Sequence, residues 1–112
     1  MLAISQKLLD AASVAGSAVA TPAGFRASGA TETTHYIKWS EGVGSGTVAI
    51  EAAHRETDPD ERWGWIATVA FSGTAPKTDV VRVSGSYRAL RHRITNPVVD
   101  GTVTTSIVGA IG

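Results

Sequence analysis

The sequence predicts an all-β protein, an antiparallel β-sandwich of jelly-roll-like form with about seven or eight short strands. Three observations carry this. Val, Ile and Thr dominate runs in which apolar and polar residues alternate with a period of two. Glycine is frequent, 12 of 112 residues, and together with Pro, Asn and Asp it punctuates those runs at spacings of about 8 to 12 residues. The strand-like runs and their turns leave little length for helix.

The clearest element is a central hairpin. In Thr47-Val48-Ala49-Ile50-Glu51-Ala52-Ala53-His54, one face reads Val48, Ile50, Ala52 and His54, and the other Thr47, Glu51 and Arg55. In Trp63 to Phe71 the same period places Trp63, Trp65, Val69 and Phe71 together, so both tryptophans are expected in the core, Trp65 against the opposite sheet. The segment between, Arg55-Glu56-Thr57-Asp58-Pro59-Asp60-Glu61-Arg62, is too polar to bury and carries the Asp-Pro-Asp signature of a turn.

Before the hairpin, Met1 to Ser5 is a short apolar lead with Leu2 and Ile4 on alternate positions, placed either as an edge strand or as an arm reaching a neighbouring subunit. The arm is the preferred role, which divides the chain into residues 1–5 as arm and 6–112 as a single sandwich domain. Gln6 to Ala12 fits one helical turn or a strand, since Leu8 and Leu9 suit both, with the strand preferred; Ser17 to Thr21 is read as a second strand, Thr21-Pro22-Ala23-Gly24 as a turn, and Ala27 to Thr31 as a loop or irregular edge. Thr33 to Trp39 places His35, Ile37 and Trp39 on one face and Thr34, Tyr36 and Lys38 on the other, so Tyr36 is a candidate contact with another protein. Glu41 to Gly46 is a glycine-rich connection that lacks the Lys-Ser/Thr of a phosphate loop and the following helix of a dinucleotide fingerprint. Beyond the hairpin come a loop from Ser72 to Thr78, a strand from Val80 to Ser84 with Val81 and Val83 inward, and a strand from Tyr87 to Thr95. In that last strand Leu90, His92 and Ile94 share one face and Arg91 and Arg93 the other. Asn96-Pro97 is expected to break it, and Asp100-Gly101 to turn the chain into a final strand with Val103, Thr105 and Ile107 on one face.

Composition bounds the function. A length of 112 residues fits one domain, and the absence of cysteine excludes disulfides and thiolate metal sites. Ten basic and ten acidic residues cancel, which removes the bulk attraction of a dedicated nucleic-acid binder. The Ala-rich start ending in Ala18-Val19-Ala20 lacks a basic leader and is interrupted by Gln6, Lys7 and Asp10, so it is read as part of the mature fold of a soluble protein.

No catalytic motif emerges. His35, His54 and His92 all fall on inward faces and could converge on zinc, but without diagnostic spacing the favoured reading is histidines hydrogen-bonded at the core edge or at an interface. Glu56, Asp58, Asp60 and Glu61 offer oxygen ligands for calcium; flanking Arg55 and Arg62 favour a solvated loop instead. No metal or cofactor is therefore expected. Arg88, Arg91 and Arg93 form a basic row, read as pairing with carboxylates such as Glu51 across the sheet or on a partner subunit, with the partner preferred.

From Gly46 onward the order of features, Gly-Thr-Val-Ala-Ile-Glu, an acidic turn ending in Trp63, Ala67-Thr68-Val69, Tyr87 to Ile94, and Asp100-Gly101-Thr102-Val103-Thr104, resembles a known group. It is similar to the β-sandwich decoration, or cement, proteins of tailed-bacteriophage heads and to related minor tail proteins, over somewhat more than half the chain. The Leu8-Leu9-Asp10 start is similar too. The chain departs from the pattern where such proteins carry an Asn-Asp-Gly type of turn, having Asp58-Pro59-Asp60-Glu61-Arg62 instead. The resemblance implies a virion structural protein on the head surface. Its partners would be the major capsid protein and symmetric copies of itself, with no enzymatic activity, membrane or nucleic acid involved. Leu2, Ile4, Tyr36, Arg91 and Arg93 are the interface candidates. The alternative it leaves open is a tail- or baseplate-associated carbohydrate-binding module in which a tryptophan stacks on a sugar ring.

Overall fold

The computed structural model describes residues 2–21, 32–55, 57–71, 76–85, 87 and 89–111, with backbone alone for Leu2–Ser5, Ala110 and Ile111. The turn expected from Thr21 to Gly24, the loop at 27–31 and most of that at 72–78 fall largely outside this set, as do Glu56 and Arg88.

Among the described residues there are eight strands: β1 (Leu2–Ala12), β2 (Ala18–Ala20), β3 (Glu32–Trp39), β4 (Ser45–Ala53), β5 (Gly64–Phe71), β6 (Lys77–Ser84), β7 (Ala89–Val99) and β8 (Val103–Ile111). They form two four-stranded antiparallel sheets, ordered β1-β8-β3-β6 and β2-β7-β4-β5. The pairs β1·β8, β2·β7, β3·β6 and β4·β5 are those of one long hairpin folded at the β4–β5 turn. Rolling that hairpin sends alternate pairs to opposite sheets, and the β3·β8 and β4·β7 ladders close each sheet. This is the jelly-roll arrangement.

Inward faces follow the alternation. Leu9, Ile37, Trp39, Val43, Val48, Ile94, Val98 and Val103 pack as one buried cluster, and Leu8, Leu90 and Ile107 as a second. Register shifts in β1, β5 and β7 reshape the faces, each with an extra residue inserted in one strand of a pair. In β1, Lys7 faces Ser106 and Leu9 faces Thr105, so Leu8 is extra and both leucines turn inward. In β5, Ala67 faces Ile50 and Trp65 faces Glu51, so Ile66 is extra and Trp65 moves to the outer face. The expectation that Trp65 is buried is therefore corrected: it is 67% exposed, whereas Trp63 is 8% exposed. In β7 the register slips on either side of Asn96, and the strand runs on through Pro97 to Val99 instead of breaking. Pro97 has no N–H to lose at an irregular position, and the next donor, Val98 N–H, is taken by Ser13 O at 2.9 Å.

The lead expected as an arm also finds its place inside the chain. Leu2, Ala3, Ile4 and Ser5 continue β1 along β8, opposite Ile111, Ala110, Gly109 and Val108. Of the two roles open to this segment, the structure takes the edge strand.

Candidate functional site

The outer face of the β2-β7-β4-β5 sheet is set by register. Arg91 lies between Ala20 and Glu51, and Arg93 between Ala18 and Ala49. The Arg91 guanidinium donates from Nε to Glu51 Oε1 at 2.8 Å and from Nη1 to Asp60 Oδ1 at 2.9 Å, and its centre sits 4.4 Å from the middle of the Trp63 ring. Asp60 belongs to a short 3-10 turn, Asp60–Arg62, that ends at Trp63. Trp63 Nε1 donates to Asp58 O at 2.9 Å, so the β4–β5 loop lies against the sheet with Trp63 and Arg91 as its anchor. The hydrogen bond from Arg91, and then its charge, hold the Asp60 carboxyl below the usual carboxylate range.

Arg91 is thus buried and committed within its own chain. This corrects the preference for a carboxylate on a partner subunit, and the physical reason is that the loop folds over Arg91 and supplies a second acid. Arg93 is different. Its Nε lies 3.4 Å from Glu51 Oε1, near enough for charge attraction, yet it is buried without an aligned acceptor while about a third of the side chain stays exposed. Tyr36 lies on the outer face of the other sheet, directly opposite Val80, and the two make an exposed apolar pair. The backbone of Leu2 and Ile4 lies at the β1 edge of that same sheet; their side chains are outside the described set. The structure therefore brings Arg91 and Arg93 together and leaves Tyr36 on the opposite side of the sandwich.

Of the three histidines, two meet. His35 of β3 and His92 of β7 are fully buried between the sheets, and a 2.7 Å hydrogen bond joins His35 Nδ1 and His92 Nε2. His35 Nε2 reaches Thr33 Oγ1 at 2.8 Å, His92 Nδ1 reaches Thr105 Oγ1 at 2.7 Å, and Thr105 Oγ1 also accepts Leu9 N–H at 3.1 Å. With the Thr105 proton turned to His92 Nδ1 and a ring proton passed along each link toward Thr33, every buried group in this row is satisfied with both rings neutral. Burial pushes His35 down to about 4 and, with the neighbouring His35 charge, pushes His92 to about 3. His54, expected on the inward face, is exposed just past the end of β4. Among the described residues no group of three His, Cys, Asp or Glu side chains is placed to hold a metal ion.

Two features escaped the sequence. Trp65 is exposed because of the bulge at Ile66, and His54, Arg55, Asp58 and Arg62 line a concavity of about 800 Å³ at the hairpin end. Only the clustering of Arg55 and Arg62 around an acidic turn hinted at the second.

No protein-family model matches this sequence, and no curated protein is similar to it. Solved structures do share its fold. The K2 cleaved adhesin domain of Lys-gingipain superposes with a TM-score of 0.66 at 11% identity, covering 85% of this chain and 63% of that one. The SPBc2 prophage-derived protein YomS superposes with a TM-score of 0.60 at 14% identity, covering 96% and 93%. The PBSX exported protein XepA gives 0.58 at 18%, covering 97% of this chain and 37% of XepA. The chain thus spans nearly all of YomS, under two thirds of the adhesin domain and about a third of XepA. At these identities the likeness is one of fold.

Proposed function

We propose that this chain is a non-enzymatic structural protein of a tailed phage or prophage-derived particle, attached to the capsid lattice as a decoration protein beside the major capsid protein and copies of itself. The observation that carries the reading is the end-to-end match of the jelly roll to prophage-derived YomS, in which neither chain has a large segment left over. The chemistry supports it. Polar groups that could have served catalysis are spent on folding, Arg91 on Glu51 and Asp60, and His35 on His92. Outward-facing Tyr36 and Val80 supply an apolar contact on one sheet, and Arg93 keeps a partly exposed guanidinium on the other.

The test is particle occupancy. Particles purified with and without the protein are imaged, and Tyr36→Asp and Val80→Asp variants, whose solution folding is first verified by circular dichroism, are then scored for attachment. Repeated lattice positions on the head, lost in the aspartate variants, are the expected result. A single ring on the tail, or no incorporation at all, would refute the head assignment.

One observation favours a second reading. Trp65 is 67% exposed on the outer face, and an exposed indole can stack on a sugar ring. A shift of its fluorescence with glycan, absent from Trp65→Ala, would support a carbohydrate-binding module of the tail or baseplate.

A further inference from the structure

We propose that β5 is a pairing edge for a second copy of this chain, joined antiparallel about a two-fold axis so that two four-stranded sheets become one continuous sheet. Among the described residues the sheets end at four strands, β1 and β6 in one and β2 and β5 in the other. An edge strand turns alternate N–H and C=O groups away from its one neighbour, and chains that stay apart guard such an edge with charge, bulges or shortness. Three of the four edges are guarded in this way. β1 carries Lys7, Asp10 and two register shifts, β6 carries Lys77, Asp79 and Arg82, and β2 is three residues long.

β5 is not. Its eight residues, Gly64-Trp65-Ile66-Ala67-Thr68-Val69-Ala70-Phe71, include no charge and no proline. The bulge at Ile66 lies toward its start, and Ala67 to Phe71 pair with β4 in unbroken register. Along that stretch the inward side chains of Val69 and Phe71 are only half-buried against the core, as is Ile66 before them. The edge therefore offers a backbone ladder and apolar side chains together, which is what an added strand takes up.

The makeup of the strand selects the occupant. A strand without charge brings no like charges together when it meets itself, and identical antiparallel strands complete each other equally across a two-fold axis. The bulge limits the register. Ala67 and Val69 face in beside Ile50 and Val48, whereas Thr68 and Ala70 face out beside Ala49 and Thr47, and a slip of one residue would mix the faces. The register that uses the whole regular stretch puts Val69 on the axis opposite Val69 of the copy, Thr68 opposite Ala70, and Ala67 opposite Phe71. Its inner pairs are apolar and its outer pairs small. Pairing over Ala67 to Phe71 alone makes a small interface, so the dissociation constant should be on the order of 100 μM.

This deepens the part of the reading above in which copies sit side by side, and it is tested in solution without particles, so either can fail alone. Sedimentation equilibrium of the full chain is measured from about 10 μM to about 1 mM, a range that brackets that constant. Two double variants at exposed outer positions, Thr68→Lys with Ala70→Lys and Thr68→Asp with Ala70→Asp, are measured singly and as an equal mixture after their melting temperatures confirm folding. Thr78→Lys with Val80→Lys, on the β6 edge, is the control. The wild type should pass from monomer to dimer, and each charged β5 variant alone should dimerise at least about tenfold more weakly, since like charges then stand opposite each other. The mixture should recover the dimer, because each lysine then faces an aspartate, and the β6 variant should behave as wild type. A wild type that stays monomeric throughout overturns the proposal. So does a lysine variant at β5 that dimerises undiminished, a mixture that recovers nothing, or a dimer lost through Thr78→Lys with Val80→Lys.

Discussion

Trp63 and Trp65 are one residue apart from being neighbours, and the chain treats them in opposite ways. Trp63 caps Arg91 and hydrogen-bonds Asp58 O, so removing it opens a cavity and frees the loop. Trp63→Ala should cost on the order of 3 to 5 kcal/mol, as for other large buried aromatics. Trp65→Ala should stay within about 0.5 kcal/mol, as surface changes do. Urea unfolding of the two variants checks this, and equal losses would mean that Arg91 and the loop do not cover Trp63. Both tryptophans share the outer face, because the extra residue Ile66 follows them and turns both away from the side of Val69 and Phe71; Trp63 is buried there because Arg91 and the β4–β5 loop cover it, and nothing in Trp63-Gly64-Trp65-Ile66-Ala67 marks the bulge. Alternation does place His35 and His92 inward, because each sits between two apolar residues two positions away or beside one. That they bond to each other follows from strands in different sheets, 57 positions apart in the chain, which no local pattern encodes.

Strands as elements were legible wherever β-branched and small polar residues alternate, as in β3, β4 and β8. Their ends and slips were not. Leu8-Leu9 fits a helix or a strand equally well by pattern, and only the bulge lets consecutive leucines both turn inward. Asn96-Pro97 reads as a break because a bulge that tolerates proline depends on what the adjacent strand offers. The apolar lead is the instructive case. By length it gains little as an isolated arm, but pairing Leu2 to Ser5 with Val108 to Ile111 extends a ladder already formed. Net backbone hydrogen bonds of about 0.5 to 1.5 kcal/mol each stand against roughly 1 to 2 kcal/mol of ordering entropy per residue, terms of one size, so what the pairing contributes is on the order of 1 kcal/mol. Deleting residues 1–5 should lower the melting temperature by on the order of 5 °C, the shift that about 1 kcal/mol produces in a domain of this size. An unchanged melt by circular dichroism would return the segment to the role of an intermolecular arm.

At the scale of the whole molecule, the sandwich has a polar waist. His35 lies between Thr33 and Ile37 on β3, His92 between Leu90 and Ile94 on β7, and Thr105 between Val103 and Ile107 on β8, so one polar row separates the two apolar clusters. The row joins the sheets only while the rings share a single proton between His35 Nδ1 and His92 Nε2. A second proton there would set two N–H groups against each other. In the unfolded chain both histidines take up protons as pH falls through their ordinary value near 6.5. In the folded chain they resist until about 4 for His35 and about 3 for His92. The unfolded state therefore binds more protons across that window, and stability falls as pH is lowered, approaching about 1.4 kcal/mol per pH unit for each histidine. The buried residues of the two apolar clusters carry no titratable group. Asp60, held low by Arg91, is destabilising on protonation too, but only below its ordinary value of 3.8. Between pH 6.5 and about 4.5 the lowered values of the two histidines produce this slope. Denaturant midpoints measured at pH 7, 6, 5 and 4.5 should fall steadily in the wild type. A His35→Gln, His92→Gln double variant keeps hydrogen-bonding side chains that do not titrate, so it should start less stable at pH 7 and lose little more on acidification. If the wild-type midpoint is the same at pH 7 and pH 5, the two rings are not buried neutral at the waist.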